Sequence, residues 1–111
     1  MENNTSSYQQ MAQLLRLLSH PARLCILDAL RRREEACVCH LQTVLKQRQP
    51  YVSQQLRALR DAGLVDSRRE GLYIYYRLSD PQVMRVLDAI LGPAGRSRHH
   101  PDCICPECRQ G

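Results

Sequence analysis

Several features that mark other protein classes are missing from this 111-residue sequence. It contains no Trp and no Phe, so a core must be built mainly from Leu, Val, Ile and Ala. No apolar run approaches the roughly 18 residues that a membrane-spanning helix needs. The N-terminal stretch MENNTSSYQQ is polar and lacks the charged and then apolar layout of a secretory signal. We therefore expect a cytoplasmic protein that has no membrane partner.

The sequence also lacks the short motifs that identify many enzymes. It has neither an HExxH pair for a zinc hydrolase nor a glycine-rich phosphate loop. We therefore expect no enzymatic activity and no organic cofactor, and weigh a small metal-dependent hydrolase only as an alternative class. The formal net charge of +5 is compatible with a polyanionic partner but does not establish one.

Apolar residues recur at the spacing of amphipathic helices in five segments. The second helix is expected to start at Ser19 and Pro21, the fourth at Pro50, and the fifth at a capping box of Ser79 and Gln82. The expected inward-facing residues are Met11, Leu14, Leu15 and Leu18; Leu24, Leu27 and Leu30; Val38, Leu41 and Leu45; Val52, Leu56 and Leu59; and Val83, Val86, Leu87, Ile90 and Leu91.

A β-hairpin is predicted between the fourth and fifth helices. The segment YIYYRL, residues 73–78, alternates as a strand does, and RREG before it is expected to form the turn. The turn between helices three and four is short, as in a helix-turn-helix. We therefore predict a mainly α fold, a winged helix-turn-helix of five helices and a two-stranded wing, in residues 1–95. Residues 96–111 are predicted to be a cysteine-rich flexible tail.

The apolar faces of the first and last helices are too extensive for one short chain to bury. We therefore expect these helices to pair with their copies in a two-fold symmetric homodimer. On the fourth helix, polar side chains lie opposite the apolar stripe, where they suit hydrogen bonds to base edges and phosphates, although a solvated helix face competes as an interpretation. The candidate DNA-binding residues are Tyr51, Ser53, Gln54, Gln55 and Arg57, with Arg68 and Arg69 on the hairpin.

Four segments resemble successive landmarks of the ArsR/SmtB metalloregulatory repressors. They are LSHPARLCILDAL, CVCHL, YVSQQLRALRDAGLV and RREGLYIYYRLSD, which together cover roughly residues 10–91. The resemblance implies a dimeric winged-helix repressor that leaves double-stranded operator DNA when an inducer binds. It also implies that helix four and the wing contact the DNA.

Six cysteines are many for a chain of this length, and in a reducing compartment clustered thiols favour metal or redox chemistry. Cys25 is isolated, and we expect it to pack in the core. Cys37 and Cys39 flank one valine, and in a helix their side chains would point about 200° apart. In extended backbone they would lie on one side. The CVC segment is therefore expected to bind an ion if Cys37 precedes the helix or begins it.

Thiolates select thiophilic ions, and we consider As(III), Cd(II), Pb(II) and Zn(II) as inducers. CVC resembles the family's arsenic and cadmium sensors, but the third cysteine of the arsenic pattern is replaced by Gln42. His40 is expected to face solvent, and the last helix has no His for the family's other metal site. The remaining ligands are predicted in the tail, from the same subunit or its partner: Cys103, Cys105 and Cys108.

Two other interpretations of the cysteines remain open. A repressor of the same fold would respond to thiol oxidation or sulfide through disulfide formation. A zinc-stabilised protein-interaction module would use the tail cysteines structurally. Metal binding in the fully reduced state distinguishes a metal sensor from a redox sensor.

Overall fold

The computed structural model describes residues 2–95 of the chain, with side chains from Ser7 onward. No helix in this part is long and apolar enough to cross a membrane. The predicted tail lies outside the described residues, so the boundary at residue 95 stays a prediction. The elements are α1 Glu2–Leu18, α2 Pro21–Arg32, β1 Ala36–Cys37, α3 Val38–Leu45, α4 Gln49–Asp61, β2 Val65–Glu70, β3 Tyr73–Leu78 and α5 Pro81–Leu91.

The five predicted helices and the hairpin are confirmed, but two helices are capped by different residues. At α2 the cap is His20 rather than Ser19, and its Nδ1 accepts a backbone N–H two residues on at 3.2 Å. At α5 the cap is Asp80 rather than Ser79, and its carboxylate accepts the backbone N–H of Gln82 at 2.9 Å. In both cases the cap directly precedes a proline, whose fixed φ suits the first helical position.

The sheet has three antiparallel strands in the order β1-β3-β2, so the predicted two-stranded wing is extended by one strand. β2 continues to Glu70, and the turn is confined to Gly71 and Leu72, where Gly71 has a φ of 63°. RREG is therefore mostly strand rather than turn. β1 is only two residues long, too short for alternation to reveal it in the sequence.

One face of the sheet belongs to the main core and the other carries a separate cluster. Directly opposed residues in an antiparallel pair share a face. Ala36 is opposite Tyr76, and both belong to the main core. Cys37 is opposite Tyr75, and both are buried in a second cluster on the other face. The two-residue strand thus separates the thiol of Cys37 from the main core.

The main core contains the predicted apolar stripes of α2, α3 and α4, together with Val83 and Leu87 of α5. Leu14 and Leu18 bury the inner side of α1. Other residues of the terminal helices, which the apolar spacing placed inward, are exposed in the single chain. They are Met11 (39% exposed), Leu15 (49%), Ile90 (65%) and Leu91 (46%).

The ends of α2 and α5 are joined by the buried side chain of Arg31. Its guanidinium donates to Asp28 at 2.7 Å, to Asp88 at 2.5 Å and to the carbonyl of Gly92 at 2.7 Å. Burial opposes the charge of Asp28, but hydrogen bonds from Arg31 and Arg32 hold the pKa of its carboxyl below the usual value. These bonds fix the last turn of α5 against α2, where the chain continues toward the tail.

Candidate metal site and DNA interface

The CVC segment lies where β1 ends and α3 begins. Cys37 is the N-cap of α3, with extended backbone (φ −78°, ψ 162°), and its Sγ accepts the backbone N–H of His40 at 3.2 Å. The Sγ atoms of Cys37 and Cys39 are 2.6 Å apart. The extended conformation therefore brings both sulfurs to one side, as a shared ion requires. The amide hydrogen bond and the helix dipole both stabilise negative charge on the Cys37 sulfur.

The two sulfurs suit an ion but do not complete its coordination. Two thiolate ligands of a tetrahedral ion, with bonds of about 2.3 Å, are roughly 3.7 Å apart, so two sulfurs on one side of the α3 start can share an ion. Within residues 2–95 no three or more His, Cys, Asp or Glu residues are grouped to hold a metal ion. The predicted tail ligands Cys103, Cys105 and Cys108 lie outside the described residues, and their role stays a prediction.

The environments of His40 and Cys25 differ from that of the pair. The prediction that His40 faces solvent is wrong, because it is only 3% exposed, on the inner side of α3. His40 and Leu41 are both buried in α3, so the buried side of this helix is wider than its apolar stripe, and polarity alone misplaced His40. Burial, assisted by the charge of Asp28, raises the pKa of the Cys25 thiol, so that this cysteine is kept protonated.

The exposed side of α4 carries part of the predicted DNA-binding set. Gln54 and Arg57 are exposed, and Tyr51 and Ser53 are half-buried. The Ser53 hydroxyl accepts a hydrogen bond from Gln49 Nε2 at 2.6 Å. These four side chains lie on or beside the helix face opposite the buried apolar stripe.

Gln55 is different from its neighbours, because it lies on the inner side of α4. It is 7% exposed, and its Oε1 accepts a hydrogen bond from Arg23 Nε at 2.9 Å. Gln55 therefore joins α4 to α2 rather than facing outward, and we leave it out of the interface proposed below. The sequence could not show this, because the partner lies 32 residues away.

The two wing arginines have different surroundings. Arg69 is exposed on β2. Arg68 donates to both carboxylate oxygens of Glu35 at 2.7 Å and to Glu70 at 2.6 Å. The hydrogen bond from Arg68 lowers the pKa of Glu35, and those two carboxylates, Glu35 first, raise the pKa of Arg68. Arg68 is thus held by acidic partners in the chain itself, and we leave it out of the proposed interface as well.

Two basic residues of the short turn between α3 and α4 were missed in the sequence. Lys46 ends α3 in a left-handed conformation with a φ of 56°. Arg48 is the N-cap of α4 and makes no side-chain capping hydrogen bond. Both are exposed beside a helix N-terminus, which attracts phosphate. The signal available in the sequence was the pair of basic residues within KQRQ, residues 46–49.

A pair of helices joined by a short turn and followed by a β-hairpin defines the winged helix-turn-helix class. Residues 20–67 match the family described as bacterial regulatory protein, arsR family. A biofilm growth-associated repressor of Agrobacterium fabrum is 44% identical over 81 residues, which cover 73% of this chain and 68% of the relative. The chain therefore belongs to the ArsR family of transcriptional repressors.

Two further relatives are informative. The arsenical resistance operon repressor of Escherichia coli is 43% identical over 67 residues, which cover 60% of this chain and 57% of the relative. A homodimeric winged helix-turn-helix DNA-binding domain from Mycobacterium bovis superposes with a TM-score of 0.71 and 31% identity, covering 82% of this chain and 83% of that one. The family and its repressor function are established by these similarities, whereas the inducer of this chain is not.

Proposed function

We propose that this chain represses transcription as a homodimer on operator DNA and is released when a thiophilic ion binds Cys37 and Cys39. The observation that carries the proposal is the extended N-cap conformation of Cys37, which turns both sulfurs to one side of the α3 start. The name of the E. coli relative, which refers to arsenical resistance, supports an ion as inducer.

The two sulfur ligands limit which ions can act as the inducer. Two sulfurs favour soft or borderline ions, and As(III), Cd(II), Pb(II) and Zn(II) all accept thiolate ligands. The resident pair offers two ligands, and the ion needs at least one more. Cys103, Cys105 and Cys108 are the proposed source.

The position at which the tail begins supports the tail cysteines as a source of ligands. Gly95 lies beside Arg32, at the end of α2 that leads through Glu34 and Glu35 to Cys37. Cys103 is eight positions after Gly95, and an extended chain of that length reaches up to roughly 26–29 Å. Closure within one subunit is therefore within reach of the tail, and closure onto the partner subunit is the alternative.

Replacing Cys103, Cys105 and Cys108 by serine in the full-length chain should weaken Cd(II) binding by at least about tenfold, because the ion loses ligands. Operator affinity without metal should stay within about twofold of the original. A competition titration with a chelator measures the first quantity, and fluorescence anisotropy the second. The matched control is Cys25→Ser, which removes a half-buried thiol of α2 outside the proposed ligand set. Equal Cd(II) affinity in the triple variant and the control would exclude the tail as a ligand source.

The proposed DNA interface comprises the outer side of α4, the preceding turn and the wing. Base-edge contacts are assigned to Ser53, Gln54 and Arg57, because a recognition helix presents its exposed N-terminal part to the major groove. Phosphate contacts are assigned to the cationic or hydroxyl side chains around them, which orient the helix without reading sequence. These are Lys46, Arg48, Tyr51 and Arg69.

The proposed dimer buries the exposed apolar residues of α1 and α5. Met11, Leu15, Ile90 and Leu91 are between 39% and 65% exposed in one chain, and Tyr8 on α1 is 72% exposed. Exposed apolar side chains grouped on a helix mark an interaction site. The homodimeric state of the M. bovis relative supports a second copy of this chain as the partner.

A single experiment tests the proposed function. The dimer is bound to a fluorescent fragment of the DNA upstream of its own gene, under reductant, and each of the four ions is added separately. At least one ion should weaken DNA binding by about 5- to 150-fold, the range of a typical coupling free energy of 1–3 kcal/mol. No release by any ion would contradict the proposal.

A second candidate function is a repressor that responds to thiol oxidation. The contact between Cys37 Sγ and Cys39 Sγ favours it, because the two sulfurs face each other. The same assay decides between the two. Release by an oxidant without metal indicates the redox repressor, and release by an ion under reductant indicates the metal sensor.

A further inference from the structure

One row of side chains crosses the outer face of the sheet from the cysteine pair to the wing. Cys37 on β1 is opposite Tyr75 on β3, and Tyr75 is opposite Arg68 on β2. Opposed residues of antiparallel strands lie side by side on one face. Tyr75 is 4% exposed and packs with Cys37, and the guanidinium carbon of Arg68 lies 4.7 Å from the centre of its ring.

Glu35 links the two ends of the row. It lies two positions before Cys37 in the chain, and its carboxylate accepts hydrogen bonds from Nε and Nη2 of Arg68, each at 2.7 Å. A bidentate pair of this kind fixes orientation as well as distance. Contacts therefore run from Cys37 through Tyr75 and Arg68 to Glu35, which the backbone links to Cys37 two positions later, and they join the entry to α3 with the wing strand β2.

We propose that Glu35 and Arg68 are positioning residues that set the angle of the wing according to the state of the cysteine pair. The inference rests on the proposed function, since it needs an ion at Cys37 and Cys39. It assigns to Arg68 a role in transmitting the signal, in place of the DNA contact that the sequence suggested.

The geometry gives a physical route for the signal. An ion that binds both sulfurs would reposition the Cys37 side chain at the junction between β1 and α3. Tyr75 is closely packed against Cys37, and packed groups transmit displacement rather than absorb it. Arg68 stacks on the ring and is tied to Glu35, so it moves with the pair, and β2 moves with Arg68.

The ion pair between Glu35 and Arg68 is expected to contribute little to the stability of the fold. Both partners are partly exposed, at 46% for the Arg68 side chain and 24% for that of Glu35. Exposed pairs contribute little to the free energy of unfolding. Removing the charge of Glu35 should therefore leave the fold and the separate binding sites intact, which makes the coupling measurable by itself.

The test compares Glu35→Gln with Glu34→Gln in the full-length dimer. Both variants lose one carboxylate from neighbouring positions, but Glu34 is exposed and stands outside the row. Three quantities are measured with Cd(II) as the probe: operator affinity without metal, Cd(II) affinity without DNA, and the release factor. The release factor is the operator Kd with Cd(II) divided by the Kd without it.

We expect Glu35→Gln to lower the release factor at least about threefold. Its Cd(II) affinity, its operator affinity without metal and its thermal midpoint should stay close to those of the original chain. Glu34→Gln should keep the original release factor. A purely structural role would instead change the thermal midpoint and leave the release factor unchanged.

Two results would overturn the inference. In the first, Glu35→Gln releases DNA as the original chain does. In the second, it binds DNA more tightly by the same factor with and without Cd(II) and with a steeper salt dependence, which would mean that Glu35 merely masks Arg68 as a phosphate contact. Absence of release in the original chain would refute the proposed function itself, and the inference with it.

Discussion

Replacing Cys37 and Cys39 together by serine should abolish release by metal while preserving DNA binding. Serine is a good N-cap, so the hydroxyl at position 37 can accept the His40 amide in place of sulfur and keep α3 intact. It is a poor ligand for thiophilic ions. The release factor under Cd(II) should therefore fall from the expected 5- to 150-fold to about 1, whereas the operator Kd without metal stays within about twofold.

Fluorescence anisotropy of labelled operator DNA, with and without Cd(II) under reductant, measures both quantities. The matched control is again Cys25→Ser, which should release DNA as the original chain does. Release by the double variant at the original Cd(II) concentration would show that the tail cysteines bind the ion alone. The CVC segment would then be a structural element of the α3 start.

The second large effect is expected on α4. Arg57→Ala and Gln54→Ala should each weaken operator binding by about 5- to 150-fold, since a good base contact contributes roughly 1–3 kcal/mol. The two variants should differ in salt dependence. The slope of log K against log salt should become shallower by about 1 for Arg57→Ala if its guanidinium also neutralises a phosphate, and should not change for Gln54→Ala.

The charge-matched control for Arg57→Ala is Arg85→Ala, which removes an exposed arginine from α5. It should change operator affinity by less than about twofold. Circular dichroism and sedimentation of each variant show that the fold and the oligomeric state are retained. If both α4 variants bind operator like the control while Arg69→Ala does not, the wing rather than α4 reads the DNA.

Local sequence patterns predicted the features of the fold and the site that depend on neighbouring residues. The helices followed from apolar spacing, and the extended backbone at Cys37 was required for two nearby sulfurs to share a side. The spacing also identified Val52, Leu56 and Leu59 as the inward stripe of α4, and all three are fully buried. These features depend on residues within one or two helical turns of each other.

The missed features depend on contacts between distant residues. Glu35 and Arg68 are 33 residues apart, and Gln55 and Arg23 are 32 apart, so neither pairing leaves a local signal. β1 forms only because β3 offers an edge beside it. The burial of His40 is likewise set by the elements that pack on α3. In each case the feature depends on an element distant in the chain, which leaves no signal among neighbouring residues.

The unequal exposure of the two cysteines sets an order of events at the proposed ion site. Cys37 is only 1% exposed, whereas Cys39 is half-buried. An arriving ion would therefore meet Cys39 first, and binding to Cys37 would require a local opening of the junction between β1 and α3. Capture would then have a first step whose rate depends on ion concentration and a second step whose rate does not.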